Sequence, residues 1–410
     1  MFRIIRVPPS LDNFFRPLKG HFHWDHFGYF RLLVLAIACM WGRRNVTNLY
    51  RYLDTAPHRT RFNNFFLVER WDPEAVLRQQ AQTLLRSLHP RQGETVYLIL
   101  DDSKKAKRGR TMDAVAKMKD PTTATDIRGH QYVCAILVCR DHVIPFGIRL
   151  YVKQAQCPAL GRPFRKTTEL AAQLIRECKA PTGVKVVVLC DAYDLCPTVV
   201  KACREQRFHV ASTLKSNRSR FKQGWKLKAG RYGRDLFRRR RADTLALSKP
   251  YGQVHYRFVD AGWLEVSTLG PLHVVFSRKG TAKTVLGLVT DAPTLCAPDV
   301  IRTYEKRWAI EQWLKDTKLL LGLGQYQNRS YWAAVTHLHL VCFAYALLTH
   351  LRLERHGAQG RRTRAKATDF STATAQDQLR SLLWRDLLVY LKEKRHDQPV
   401  IDALERLRVA

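Results

Sequence analysis

The chain has 410 residues, 46% of them hydrophobic, which is enough for a sizeable core and too apolar for a disordered chain. Its 70 Lys and Arg face 35 Asp and Glu, leaving a net charge of +35 and an isoelectric point near 10.2. Charge of that size, clustered rather than spread, points to a polyanionic partner such as nucleic acid and disfavours a merely solubilising surface. The ten Cys form no C-x-x-C pair and many sit in apolar runs, so they read as reduced core thiols of a cytosolic protein and exclude a disulfide frame.

No apolar stretch with a small-residue cleavage site follows Arg3 and Arg6, so no secretion signal is expected. Residues 1–90 read as helical. Residues 27–40 are apolar all round, and residues 73–88 form a cleaner amphipathic helix with Asp72 as cap and Pro73 at the first position. The HFHWDH run at residues 21–26 spaces its histidines two apart, which does not suit zinc on a helical face. Residues 43–66 interleave Arg and His with aromatics. That pattern suits backbone and base contacts on DNA, and equally a structural helical cap with a solvated basic face.

At residue 96 the period changes. The run at residues 96–100 is an apolar strand that ends in Asp101 and Asp102. Residues 131–139 and 143–152 read as a hairpin around Arg140 and Asp141. A helix at residues 167–179, a β-branched strand at 184–190 ending on Asp191, a helix at 197–206 and a strand at 208–214 follow. Such an order makes a mixed sheet with helices on its faces. Residues 217–291 shift to short β-like segments between glycines (253–259, 273–277 and 284–290) and hold the densest basic run, residues 231–241. Asp299 is expected to cap a helix ended by Gly322 and Gly324. Residues 333–351 are apolar but interrupted by His337, His339 and His350, which favours a buried helix over a membrane span. The tail from about residue 357 begins basic and closes with amphipathic helices over 375–408.

Residues 304–318 carry the most informative pattern. On one continuous α-helix, Tyr304, Arg307, Glu311 and Lys318 fall within an arc of about 60°, beside an apolar stripe of Ile310, Trp313 and Leu314. One of Asp101 and Asp102, together with Asp191 and Glu311, could then converge, if the two strands are parallel neighbours. Three carboxylates are costly to hold together without cations, and hard divalent metals answer that cost. Adjacent strand residues face opposite ways, so only one of Asp101 and Asp102 can point inward; the pattern does not choose.

The spacing Tyr304-x2-Arg307-x3-Glu311-x6-Lys318 resembles the YREK signature of bacterial insertion-sequence DDE transposases. Asp101-Asp102-Ser103 and the Leu-Cys-Asp ending at Asp191 are similar to that family's first two acidic motifs. The resemblance implies an α/β, RNase H-like mixed sheet flanked by helices, interrupted by a β-rich insertion, with helical N- and C-terminal regions. It implies Asp102, Asp191 and Glu311 as catalytic ligands of two Mg²⁺ ions, with Mn²⁺ as a substitute. It places Tyr304, Arg307 and Lys318 on DNA phosphates near the element's end, and gives Trp225 and Trp263 as candidates to support a flipped base, although a core role suits each.

Other basic residues would track the DNA backbone: Lys104, Lys105, Lys107, Arg108 and Arg110 beside the first aspartates, and Arg238, Arg239, Arg240 and Arg241 in the insertion. The expected layout is a helical DNA-binding region at 1–90, a catalytic core at 91–216 and 293–353 split by an insertion at 217–292, and a basic helical tail at 354–410. The function so implied is a cytoplasmic, nucleoid-associated transposase, with no membrane role. It would work as a homodimer on paired terminal inverted repeats, cutting them and joining them to target DNA. A catalytically silent DNA-binding relative and a structure-selective nuclease are the alternatives.

Overall fold

Val96, Leu98, Ile99 and Leu100 are all but inaccessible to solvent, and the strand they belong to is the centre of the molecule. In the computed structural model this strand, β1, runs over Thr95–Ala106, well past the two aspartates. The structure describes residues 4, 6–53, 59–67, 70–109, 111–119, 125–222, 225–249, 252–358, 371–393 and 398.

Five helices precede it: α1 (Asp12–Phe15), α2 (Trp24–Cys39), α3 (Val46–Arg51), α4 (Arg59–Leu67) and α5 (Pro73–Ser87). Asp72 caps α5, accepting from the Glu74 and Ala75 N–H groups at 2.9 and 3.0 Å. The core then runs β1, β2 (Ala116–Lys119), β3 (Asp126–Cys139), β4 (His142–Leu150), α6 (Thr167–Glu177), β5 (Lys185–Cys190), α7 (Pro197–Glu205) and β6 (His209–Leu214). Strand β3 lies antiparallel between β1 and β4, and β1, β5 and β6 are parallel neighbours. This β4-β3-β1-β5-β6 mixed sheet with helices on its faces is the RNase H-like arrangement.

The insertion extends the sheet. It comprises β7 (Ser219–Lys222), β8 (Trp225–Lys228), α8 (Ala229–Arg239), β9 (Asp243–Lys249), β10 (Gly252–Val266), β11 (Gly270–Lys279) and β12 (Leu286–Thr290). Because β12 pairs antiparallel with β6, the insertion's strands continue the core to a sheet of twelve strands among the described residues. Most of the dense basic run, residues 231–239, lies on the helix α8, an element that the β-rich reading of 217–291 did not include. Ala229, Gly233 and Leu236 line its buried side, and Gly233 meets the Phe276 ring so closely that a Cβ there would stand 2.4 Å from it.

After the sheet come α9 (Ala297–Glu305), α10 (Trp308–Leu320), α11 (Tyr331–Ala358) and α12 (Thr372–Glu393). The expected continuous helix over 304–318 is interrupted at Lys306 and Arg307. There the backbone bonds tighten to i→i−3, from Arg307 N–H to Tyr304 O and from Ile310 N–H to Arg307 O. Neither Gly nor Pro marks the junction, which is why the sequence hid it. The N-cap of α9 is Cys296, with Asp299 in the first turn accepting from Arg302 at 2.8 Å instead of capping. The apolar stripe holds: Ile310, Trp313 and Leu314 are buried. Among the described residues α11 is long and apolar enough to cross a membrane, and it is buried inside the protein. The basic run at 361–366, Arg110 and the end of the expected C-terminal helix lie outside the described residues.

Candidate active site

Strands β1 and β5 pair in register up to Ile99 with Leu189. Two residues beyond that pair on each strand come Asp101 and Asp191, the latter just past the end of β5, where its Oδ1 accepts the Tyr193 and Asp194 N–H groups at 2.8 and 3.0 Å. The end of the parallel pairing thus opens a rim at which β1 continues, paired only with β3.

The pleat decides which aspartate faces which helix. Leu100 is level with Ala135 and through it with Gly147, whose empty Cβ position is filled by Leu174 of α6 at 2.4 Å. Asp101 points to the other face. There the Arg307 guanidinium donates from Nη1 to Asp101 Oδ2 at 3.4 Å and from Nη2 to Glu311 Oε1. One cation therefore ties the first strand to the α10 carboxylate. Asp102, expected as the first ligand, faces away from this pair, and its Oδ2 accepts from the Gln131 side-chain amide of β3. Of the two adjacent aspartates, Asp101 is the one on the face of Arg307 and Glu311.

Burial, with Asp102 and Asp191 adding to it against the opposing Arg307, pushes the Asp101 carboxyl up to about 6. Burial works against the Arg307 cation, but Tyr304, Asp101 and Glu311 outweigh it and raise the group further. Asp194, absent from any sequence motif singled out above, is 5% exposed. Burial and then the fields of Asp191, Asp102 and Asp101 push it up to about 7. This rim is a place where negative charge exceeds what the protein neutralises.

Hard oxygen donors in such a deficit are of the type that Mg²⁺ or Mn²⁺ prefers. Among the described residues no three His, Cys, Asp or Glu side chains are close enough to hold one ion as they stand. The cation between Asp101 and Glu311 is Arg307, which bonds both carboxylates.

The other expected residues separate by environment. Tyr304 is half-buried, its hydroxyl 3.5 Å from Thr213 Oγ1 of β6. Lys318 lies two turns beyond Glu311, and its field reaches the buried Cys134 thiol, level with Asp101 on β3. Lys104 donates to the Lys119 carbonyl at 2.8 Å, the Lys105 stem packs on Gly324, and Arg108 is exposed.

Lys107 departs from a DNA-facing role. Its ammonium donates to the Gly324 and Tyr326 carbonyls at 2.8 and 2.9 Å and lies 3.2 Å from the Tyr326 ring centroid, and burial lowers it to about 7. It holds the loop after α10 against the end of β1. In the insertion Arg231, Arg234, Arg238, Arg239, Arg240 and Arg241 are all exposed. Trp263 is 49% exposed and stacked on His273, so it is not a core residue; the Trp225 side chain lies outside the described residues. Sequence reasoning also passed over two exposed aromatics that adjoin site residues, Tyr193 and Trp308.

The family described as DDE superfamily endonuclease matches residues 17–260, more than half of the chain and inclusive of Asp101, Asp102 and Asp191 but not Glu311. No curated protein matches it.

Proposed function

The chain belongs to the DDE superfamily endonucleases, and from that premise we propose that it is a transposase. It would cut DNA at the ends of a mobile element and join those ends to target DNA. The observation that carries this reading is the Arg307 guanidinium shared by Asp101 and Glu311, at the rim where Asp191 ends the parallel pairing. In this reading Asp101 takes the place first expected of Asp102, and Asp101, Asp191 and Glu311 supply the oxygens that hold two Mg²⁺ or Mn²⁺ ions. Such ions supply Lewis acidity to the attacking and leaving oxygens of a phosphodiester.

The protein's own part is positioning and charge. Asp191 is held by the turn that follows it, and Glu311 by the buried stripe of α10. Arg307, planar and always charged, transfers from the two carboxylates to a phosphate, where it can bind in the bidentate mode. Lys318, Tyr304, Lys104, Lys105 and Arg108 border the path of the strand, and the exposed arginines of α8 neutralise more distant phosphates. The partners proposed are terminal inverted repeats and target DNA, bound by a homodimer that pairs the two ends.

Labelled repeat DNA, incubated with the protein and Mg²⁺, should be cleaved and joined to a target plasmid, and Asp191→Asn or Glu311→Gln should abolish both steps. Cleavage that survives either substitution would overturn the assignment. Cleavage without joining would reduce the protein to a nuclease.

A further inference from the structure

We propose that a cleft beside the edge of β4 binds an unpaired stretch of DNA, stacking a base on Trp332 and holding phosphates with Arg162, Arg165 and Arg70. The proposal deepens the reading of the chain as a DNA-cutting enzyme and rests on it for the choice of DNA as the polyanion. Two adjoining hollows of about 450 and 220 Å³ make up the cleft, and they share Glu74, Arg162, Tyr331 and Val335. The walls are the starts of α5 and α11, part of α6 and the last residues of β4, which among the described residues pairs only with β3. The larger hollow falls in the range, roughly 300–1,000 Å³, of sites that enclose a small ligand. It takes a base, not a duplex.

The lining selects the ligand. The Arg162 guanidinium lies over the Trp332 ring at 4.4 Å and over the Tyr331 ring at 5.1 Å. Stacked in this way, a guanidinium keeps its N–H fork at its edge for a phosphate. Tyr331 is fixed in turn, its backbone N–H donating to Asp113 Oδ2 at 2.9 Å. Arg70 and Arg165 are exposed at the mouth. The bordering acids are committed elsewhere, Asp72 to the cap of α5 and Glu74 to Arg149 at 2.6 Å. What faces a ligand is therefore aromatic and cationic, the combination that holds single strands, whose bases expose their faces. Position agrees with this chemistry. Ile148 and Arg149 of the wall stand level, through Cys134 and Val133 of β3, with Asp101 and Asp102 of β1. Two strand spacings, about 10 Å across the sheet, separate them, so a strand frayed at the active site reaches the cleft.

Fluorescence anisotropy of the full chain with a labelled oligothymidylate, and with a duplex of equal length, tests this. Trp332→Ala, and Trp332→Leu in case the first folds poorly, should weaken single-strand binding about tenfold at an unchanged salt slope, with the duplex bound as by the parent. Arg165→Ala should lower the slope of log affinity against log salt for the single strand by about 0.7. Each variant is judged on protein that melts as the parent does. Parental single-strand affinity in the Trp332 variants would overturn the proposal, as would an equal loss on the duplex. Cleavage of repeat DNA by a parent chain that shows no single-strand site would overturn the cleft alone. A single-strand site that behaves as described, in a chain that neither cleaves nor joins repeat DNA, would overturn the proposed function and leave the cleft.

Discussion

Arg307 is the residue through which the site is legible, because its two nitrogens report which carboxylates face each other. The same crowding has a consequence for pH. Asp101 and Asp194 titrate near 6 and 7 in the folded chain, against about 3.9 when unfolded. Their folded values are raised, so the native state binds the extra protons and their ionisation is a cost of folding. That cost is absent below about pH 4 and full above about pH 7, so their contribution falls as pH rises through that window. Metal-free protein carrying Asp194→Asn should therefore show a flatter stability profile between pH 4 and 7 than the parent, by urea unfolding at each pH. Identical profiles would contradict the burial and repulsion assigned to Asp194. Neither residue's environment was readable from sequence: Asp101 and Asp102 are adjacent letters, and only the register with Gly147 and the position of Arg307 separates them.

Among the elements, the strands and helices of the core were readable because β-branched runs and 3.6-residue periods announce them. The two elements that mislead do so for physical reasons. The helix over 304–318 breaks at a junction with helical dihedrals at Lys306 and Arg307, so no local signal marks it. In α8 the arginines mask an amphipathic pattern whose buried side is only Ala229, Gly233 and Leu236. Its outer side carries Arg231, Arg234, Arg238 and Arg239, with Asp235 4.0 and 3.9 Å from Arg231 and Arg238, which are exposed pairs of little energetic weight. Its outer side is strongly positive, and in the proposed function it meets DNA phosphates. Replacing the four arginines by Ala should lower the slope of log affinity against log salt for duplex DNA by about 0.9 for each phosphate the protein no longer neutralises. An unchanged slope would show that α8 faces away from the bound DNA.

At the scale of the whole molecule, the N-terminal helices are bound to the core and do not hang from it. Arg149 of β4, 8% exposed, donates to Glu74 of α5 and Glu177 of α6, each at 2.6 Å, and Arg78 reaches Glu177 at 2.9 Å. Arg149→Ala would leave two carboxylates facing each other across that junction, with Arg78 as partial relief. It should cost about 3 kcal/mol of stability, measured by chemical unfolding; a loss under about 1 kcal/mol would mean the network behaves as an exposed one. The +35 net charge foretold a polyanionic partner, but composition could not say that the acidic rim would sit inside a basic molecule. That contrast is central to the proposed chemistry, and its most direct test is metal-dependent nicking of repeat DNA by Asp101→Asn and Asp102→Asn side by side. Loss of roughly a hundredfold or more with Asp101→Asn, and near-parental activity with Asp102→Asn, is the predicted result; the reverse pattern would contradict it.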